Sequence, residues 1–279
     1  MAIKMRPKLK GDNQIKAFRR IATRLASKAS SYQGVVGVVF IGGLVRGFAD
    51  KFSDIDIIVL IAGKNKVLRE QLRALGSSTT RRFGIDVDME ARFFEDFRRQ
   101  RWDEIDRWEF SKAEVVFDPG GIVKELLKQK LKVPKDFWVK RVAECAEYLK
   151  WYCCPPSEGV ATVAEAWVDR GDLLSAHYCL NYAVDLMLEL MFALNKEHLP
   201  APKWRLFYSC SLKWLPKDYR RLIEEAMKTE EFTMEEFDRR LKAIHKIWAS
   251  TLPKIRAVTG LSMDQLSKYF VEKILHLSG

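Results

Sequence analysis

Two glycines and two aspartates near position 50 have the spacing of a site that handles phosphate. Gly42 and Gly43 follow the β-branched run 35–41, and Asp54 and Asp56 occupy alternate positions where a second apolar run begins. Alternate residues of a strand share one face, so the two carboxylates are expected side by side at the mouth of a sheet. Like charges held together repel unless a cation lies between them, which predicts a site for a divalent metal ion.

The glycines predict an anion-binding turn beside these carboxylates. Without a Cβ, Gly42 and Gly43 let backbone N–H groups come close to a ligand, and the short helix predicted after them directs its positive end towards the same place. Carboxylates that bind a metal next to such a turn suit a nucleoside triphosphate bound through Mg²⁺. Arg46, within the short helix, is either a ligand of the triphosphate or a surface charge.

The stretch 41–60 resembles the active-site signature of the DNA polymerase β-like nucleotidyltransferase superfamily, in which Gly-Gly or Gly-Ser precedes Asp-x-Asp by a similar distance. It is most similar to two-domain small-molecule nucleotidyltransferases of the aminoglycoside and lincosamide type, although Gly43 stands where many members have serine. The resemblance implies transfer of a nucleoside monophosphate from a triphosphate, with ATP as the expected donor, to a hydroxyl with release of pyrophosphate. It also implies two Mg²⁺ ions, which Mn²⁺ can replace. The nucleotide-binding residues in this stretch would be Gly42, Gly43, Arg46 and Ser53.

The superfamily uses a third carboxylate from a neighbouring strand, and the alternating run 85–90 offers candidates. Asp86, Asp88 and Glu90 share one face of the predicted strand, so alternation alone does not choose among them. Counted back from the helix predicted to start at Phe93, Asp88 lies where the family's third acid falls. Asp86 is the alternative third ligand. The resemblance makes Asp54, Asp56 and Asp88 the metal ligands and the catalytic residues, with Asp88 also able to accept the proton of the attacking hydroxyl.

The hydrophobic period changes at the turn sequence Asp-Pro-Gly-Gly of residues 118–121. Upstream, short apolar runs of strand length alternate with helical segments, whereas downstream almost every segment has a period of 3.6 residues. This pattern predicts an α+β protein. It predicts a first domain over residues 1–118 with a small mixed sheet and helices, and an all-α helical bundle over residues 119–279. The resemblance makes the first the nucleotidyltransferase catalytic domain and implies that the second binds the acceptor substrate.

The segment from Asp172 to Lys203 resembles the helical domain of aminoglycoside adenylyltransferases, in which Gly-Asp opens a long helix and Ala-Pro-Lys follows its end. If the roles of the family's residues hold at the matching positions, Asp172 would face the acceptor and Lys203 would reach the triphosphate. Asp172 is as well suited to cap the helix that it opens. Trp167 either stacks on a ring of the acceptor or packs in the core.

Four polar residues recur at intervals of four along the predicted helix 172–194, namely His177, Asn181, Asp185 and Glu189. This spacing gives one slowly turning stripe on an otherwise apolar helix. The stripe is either the solvent-facing edge of the bundle or the polar lining of a cleft. In the second case Asp185 is a candidate contact of the acceptor.

The net charge of +11 is concentrated in residues 1–33, which contain nine Lys or Arg and one acid. Such a segment either contacts a polyanion such as RNA or forms a solvated helix face. No apolar run approaches the ~18 residues of a membrane span, and five cysteines and four histidines show no zinc-ligand spacing. In the absence of an apolar secretory segment, we expect a cytoplasmic protein with no membrane contact.

The sequence thus predicts a Mg²⁺-dependent nucleotidyltransferase. The alternatives are nucleotidyl transfer to RNA or to a protein, and a non-catalytic nucleotide-binding or antitoxin-like partner. The identity of the acceptor, the preferred nucleotide and the oligomeric state do not follow from the residues.

Overall fold

The computed structural model describes residues 9, 11–155 and 159–275, so residues 1–8 and 10 of the predicted polyanion-binding segment lie outside the described residues. The chain forms two compact units, of which one ends at Lys132 and the other begins at Val133. The strands of the first unit are β1 (Val35–Phe40), β2 (Ile55–Ile61), β3 (Val87–Phe93) and β4 (Glu114–Phe117). Its helices are α1 (Ile15–Ser30), α2 (Gly42–Arg46), α3 (Lys66–Phe83), α4 (Phe94–Arg99), α5 (Glu104–Phe110) and α6 (Ile122–Lys130). The helices of the second unit are α7 (Phe137–Tyr152), α8 (Val163–Asp169), α9 (Leu173–Leu194), α10 (Pro202–Ser209), α11 (Tyr219–Met227), α12 (Met234–Thr259) and α13 (Met263–Lys273).

The first unit is built on a four-stranded mixed sheet of order β3-β2-β1-β4. Strand β2 runs parallel to β3 and antiparallel to β1, which also pairs antiparallel with β4. The predicted α+β class, a mixed sheet with helices followed by a helical region, is confirmed.

Both faces of this sheet are covered, as the apolar runs of β1 and β2 require. Ile57 and Val59 of β2 pack into one core with α1 and α3. Ile58 and Leu60, which point the other way, pack into a second core with α4, α5 and α6. Asp56 has the parity of Ile58, so it lies on the α5 side of the sheet.

Helix α6 belongs to the first unit, so the division between the units lies further along the chain than the boundary predicted at 118–119. Its residues Val123, Leu126 and Leu127 are buried in the second core of the sheet. The contact with β1 is close, because a Cβ on Gly37 would lie 2.4 Å from Cγ2 of Val123. A glycine in the middle of a strand commonly marks such an approach.

The helix predicted to start at Phe93 is in fact two helices, α4 and α5. Helix α4 ends at Arg99, and α5 starts after Asp103, whose side chain and that of Asp106 form a reciprocal capping box. Between them Trp102 turns inward and stacks on Phe110, with ring centroids 4.4 Å apart. The aromatic packing therefore fixes the break and the direction of α5.

The second unit is a helical bundle around α9, whose apolar residues are buried on most sides. At His177 the polar stripe of α9 is not a solvent-facing edge of the bundle. His177 is buried, and its Nδ1 lies 3.0 Å from a guanidinium nitrogen of Arg240 on α12, while its Nε2 lies 3.1 Å from the Thr233 carbonyl oxygen. Arg240 also donates to the side chain of Asn181. Two members of the predicted polar stripe thus bind α12.

Within the ranges that the structure describes, no helix is both long enough and apolar enough to cross a membrane.

Candidate active site

The parallel pairing of β2 and β3 brings two of the predicted carboxylates together. Asp56 lies directly opposite Asp88 in the register, and the backbone N–H of Ile55 donates to the Asp86 carbonyl oxygen at 2.9 Å. Asp86 precedes the first residue of β3, whereas Asp88 is its second residue. The register therefore pairs Asp88, rather than Asp86, with Asp56. Asp54, two residues before Asp56, is exposed just ahead of β2.

Gly42 packs its α-carbon directly against the Asp56 carboxylate. A Cβ at this position would lie 1.7 Å from Oδ2 of Asp56, a distance that no side chain can occupy. The residue also has a φ of +62°, in the left-handed region that favours glycine. The contact follows from the antiparallel pairing of β1 with β2, in which the Ile41 N–H donates to the Asp56 carbonyl oxygen at 3.3 Å.

The crowding of acidic groups is visible in the pKa values. Burial, followed by the charges of Asp54, Glu109 and Asp88, raises the pKa of Asp56 to about 7. The pKa of Asp88 is also raised, first by partial burial and then by Glu90 and Asp54. The raised pKa values mean that ionising these two carboxyl groups costs more free energy than ionising free ones. A bound cation would lower that cost.

The donor set fits a divalent ion that is shared with a substrate. Within the described residues, no three Asp, Glu, His or Cys side chains converge closely enough to hold a metal ion by themselves. Mg²⁺ is commonly bound by one or two carboxylates together with substrate phosphates and water, rather than by a cage made only of protein groups. Asp54, Asp56 and Asp88 are the residues that would hold such ions, each contributing oxygen ligands.

Glu109 on α5 is a part of this site that the sequence analysis missed. Its carboxylate accepts from the Gly42 N–H at 2.7 Å and from the Arg46 guanidinium at 2.6 Å. Arg46 is not a surface charge, since its side chain is only 9% exposed and its guanidinium carbon lies 3.9 Å from the centroid of the Trp108 ring. No spacing rule pairs residues 67 positions apart, so only the packing of α5 on the sheet reveals this contact.

The loop between α2 and β2 is held by its own side chains. Ser53 Oγ accepts from the Asp50 N–H at 3.0 Å and donates to the Asp50 carboxylate at 3.1 Å. The Asp50 carboxylate also accepts from the Phe52 N–H. At Gly43 a Cβ would lie 3.0 Å from the Phe48 carbonyl oxygen. A serine there would need the loop to shift, which gives a local reason for the departure from the family's pattern.

The remaining predicted residues lie in the helical unit. Asp172 is the N-cap of α9, and its carboxylate accepts from the Ser175 N–H and hydroxyl, contacts that lower its pKa. Trp167 is half-buried against the helical core, and its carbonyl accepts from the Asp172 N–H at 3.1 Å. Asp185 and Lys203 are exposed, the latter in the first turn of α10.

Two family models match overlapping parts of the chain. Residues 19–115 match the family described as Nucleotidyltransferase domain, and residues 107–205 match the Domain of unknown function (DUF4037). The chain therefore has a nucleotidyltransferase domain of the DNA polymerase β-like superfamily, and the predicted superfamily is confirmed. More particularly, the nucleotidyltransferase domain supports nucleotidyl transfer as the general activity, and the DUF4037 match, which overlaps its end at residues 107–115, adds no activity.

Two solved structures are similar to the chain. One is the nucleotidyltransferase-like protein from Exiguobacterium sibiricum 255-15, which is 12% identical, with a TM-score of 0.42 over 88% of this chain and 78% of that chain. The other is the E. coli MS115-1 CdnC:HORMA-deltaN complex, with 14% identity and a TM-score of 0.25 over 94% of this chain and 90% of that chain. No curated protein matches the chain.

Proposed function

We propose that this chain is a Mg²⁺-dependent nucleotidyltransferase that transfers AMP from ATP to a hydroxyl of an acceptor and releases pyrophosphate. The observation that carries the proposal is the register of β2 and β3, which sets Asp56 opposite Asp88, with Asp54 two residues earlier in the chain. The contact of Gly42 with the Asp56 carboxylate supports it, since this glycine is the one that opens the family's motif.

Each carboxylate has a role in the proposed reaction. Asp54 and Asp56 would hold the metal ions, and Asp88 would contribute to one of them. When bound, Mg²⁺ lowers the pKa of the attacking hydroxyl and neutralises charge on the departing pyrophosphate. Asp88 is exposed, so an acceptor hydroxyl can reach it and pass its proton to it, a contribution of roughly 10²–10⁴-fold in rate.

The helical unit selects the acceptor in this proposal. The backbone N–H of Asp172, the N-cap of α9, donates to the carbonyl of Trp167 in α8, and both residues present part of their surface to solvent. Asp185 offers a further exposed carboxylate on the same helix, and Lys203 an exposed cation in the first turn of α10. The DUF4037 match covers all four residues and assigns them no activity.

Pyrophosphate release tests the proposal directly. ATP, GTP, CTP and UTP are each incubated with Mg²⁺ and with aminoglycosides, lincosamides, tRNA or a protein acceptor, and the double variant Asp54→Ala/Asp56→Ala is the control. We expect release with one acceptor and none from the control. Nucleotide binding without turnover under any condition would favour the non-catalytic partner, and the absence of nucleotide binding would contradict both readings.

A second candidate is nucleotidyl transfer to RNA, which a row of cations on α1 favours. Lys16, Arg20, Arg24 and Lys28 are all exposed and recur every four residues, so they form a line about 18 Å long on one side of the helix. Phosphate contacts make RNA affinity fall steeply with salt. The variant Arg20→Glu/Arg24→Glu should reduce both the affinity and the salt slope, and an unchanged slope would remove this candidate.

A further inference from the structure

Glu109 joins the two ends of α2 through its carboxylate. One oxygen accepts from the N–H of Gly42, the first residue of α2, at 2.7 Å, and the other accepts from the guanidinium of Arg46, the last residue, at 2.6 Å. Hydrogen bonds that involve an ionised partner are about twice as strong as neutral ones. The five-residue helix is therefore fixed from outside by one side chain of α5.

Helix α5 holds Arg46 by a second contact, with an aromatic ring. Trp108, which precedes Glu109, is 4% exposed, and the Arg46 guanidinium lies over its ring. A cation–π contact is strongest when the guanidinium is desolvated, as it is here. With an ion pair on one side and an aromatic face on the other, Arg46 has little freedom to move.

The position of Gly42 in turn determines the place of the Asp56 carboxylate. The α-carbon of Gly42 lies so close to Asp56 that even a methyl group cannot be inserted between them. A displacement of Gly42 away from β2 would open room for the carboxylate to rotate, and a displacement towards β2 would push it away. Glu109 limits both movements, because it holds the Gly42 N–H from the side of α5.

We infer that Glu109 is a positioning residue of nucleotidyl transfer, which acts through Gly42 and Arg46 to hold the Asp56 carboxylate in its working place. This inference rests on the function proposed above. It goes beyond the family's motif, since Glu109 lies in α5, outside the Gly42–Asp56 stretch and β3.

Steady-state kinetics of Glu109→Ala and Glu109→Gln test the inference, with Asp96→Ala as the matched control. Asp96 is an exposed carboxylate on the neighbouring helix α4. A misplacement of about 1 Å can cost on the order of 10²-fold in rate, so Glu109→Ala should lower kcat by about 10- to 100-fold and leave the KM for ATP nearly unchanged. The glutamine oxygen can still accept from Gly42, so Glu109→Gln should retain more of the rate. Asp96→Ala should behave as the wild type.

Three outcomes would overturn the inference. A lower KM for ATP with an unchanged or higher kcat in Glu109→Ala would mean that the carboxylate competes with the phosphates for Gly42 and Arg46. An unchanged kcat with a lower melting temperature would mean that Glu109 only supports the fold. Equal losses of kcat in the alanine and glutamine variants would mean that charge, rather than the bond to Gly42, matters.

Binding of Mn²⁺ together with a non-hydrolysable ATP analogue, followed by electron paramagnetic resonance, separates this inference from the proposed function because it requires no turnover. Both Glu109 variants lose the same charge, but only Glu109→Ala releases Gly42. We therefore expect Glu109→Ala to weaken Mn²⁺ binding more than Glu109→Gln does. If the wild type binds Mn²⁺ and shows this order yet transfers no nucleotide, the proposed function fails and the positioning role stands. Equal affinities in the two variants would contradict the positioning role.

Discussion

Gly42 has no side chain, and the space that a Cβ would need is taken by the Asp56 carboxylate, 1.7 Å away. Gly42→Ala should therefore displace Asp56 and lower kcat by at least about 10²-fold. Gly47→Ala is the matched control, since Gly47 also has a positive φ of 81° but open space around its α-carbon. Both variants carry backbone strain of roughly 1–2 kcal/mol. If Gly47→Ala loses as much activity as Gly42→Ala, strain and not the carboxylate contact explains the effect.

The structure also distinguishes the two candidates for the third carboxylate, Asp88 and Asp86. Asp88 faces Asp56 across the β2–β3 pairing, while Asp86 lies before β3 and contributes its carbonyl to the ladder. Asp88→Asn should reduce kcat by about 10²-fold or more, as expected for a base that also binds the metal. Asp86→Asn should stay within a few fold of the wild type in the same assay. The opposite order would assign the third ligand to Asp86.

At the scale of elements, α9 and α12 are joined by a buried hydrogen bond between His177 and Arg240. Burial lowers the pKa of His177, and the positive charges of Arg240 and Arg239 lower it further, against the opposing effects of the Thr233 carbonyl and Glu236. Arg240, itself buried, lies 3.0 Å from His177 Nδ1. His177 is therefore held in its neutral form.

This pairing predicts how stability depends on pH. Below pH 6.5 His177 is protonated in the unfolded chain, whereas its lowered pKa keeps it neutral in the folded chain to a lower pH. The free energy of unfolding therefore falls as the pH falls. Lowering the pH from 7.5 to 5.5 should reduce the melting temperature of the wild type more than that of His177→Gln, which keeps an acceptor for Arg240 but does not titrate. Equal losses in the two proteins would show that His177 is protonated in the folded state.

Some of these elements and contacts can be predicted from the sequence, and others cannot. The seven-residue apolar run of β2 and the alternation before β3 identify the strands that carry Asp56 and Asp88, because both patterns are local. The break between α4 and α5 depends on Trp102 packing against Phe110, and the burial of His177 depends on Arg240 from another helix. Glu109 meets Gly42 only once α5 packs on the sheet. Contacts of this kind are set by tertiary packing and leave no periodic signal.

At the scale of the whole molecule, each unit has a core of its own, and the first unit includes α6. A fragment of residues 1–132 should unfold cooperatively in a thermal melt followed by circular dichroism. A fragment of residues 1–118 lacks Val123, Leu126 and Leu127, and each buried leucine removed costs about 2–5 kcal/mol. The shorter fragment should therefore melt at a much lower temperature or fail to fold. Equal melting temperatures would mean that α6 does not contribute to the core of the first unit.

The most direct test of the central claim is a comparison of ATP labelled at the α-phosphate with ATP labelled at the γ-phosphate. Each is incubated with Mg²⁺, the full chain and fractions of small molecules, RNA or protein as acceptors, and Asp54→Ala/Asp56→Ala is the control. Nucleotidyl transfer predicts that the α label enters an acceptor, that the γ label leaves as pyrophosphate, and that the control transfers neither. Entry of the γ label into an acceptor, or equal transfer by the control, would contradict the assignment of this reaction to Asp54, Asp56 and Asp88.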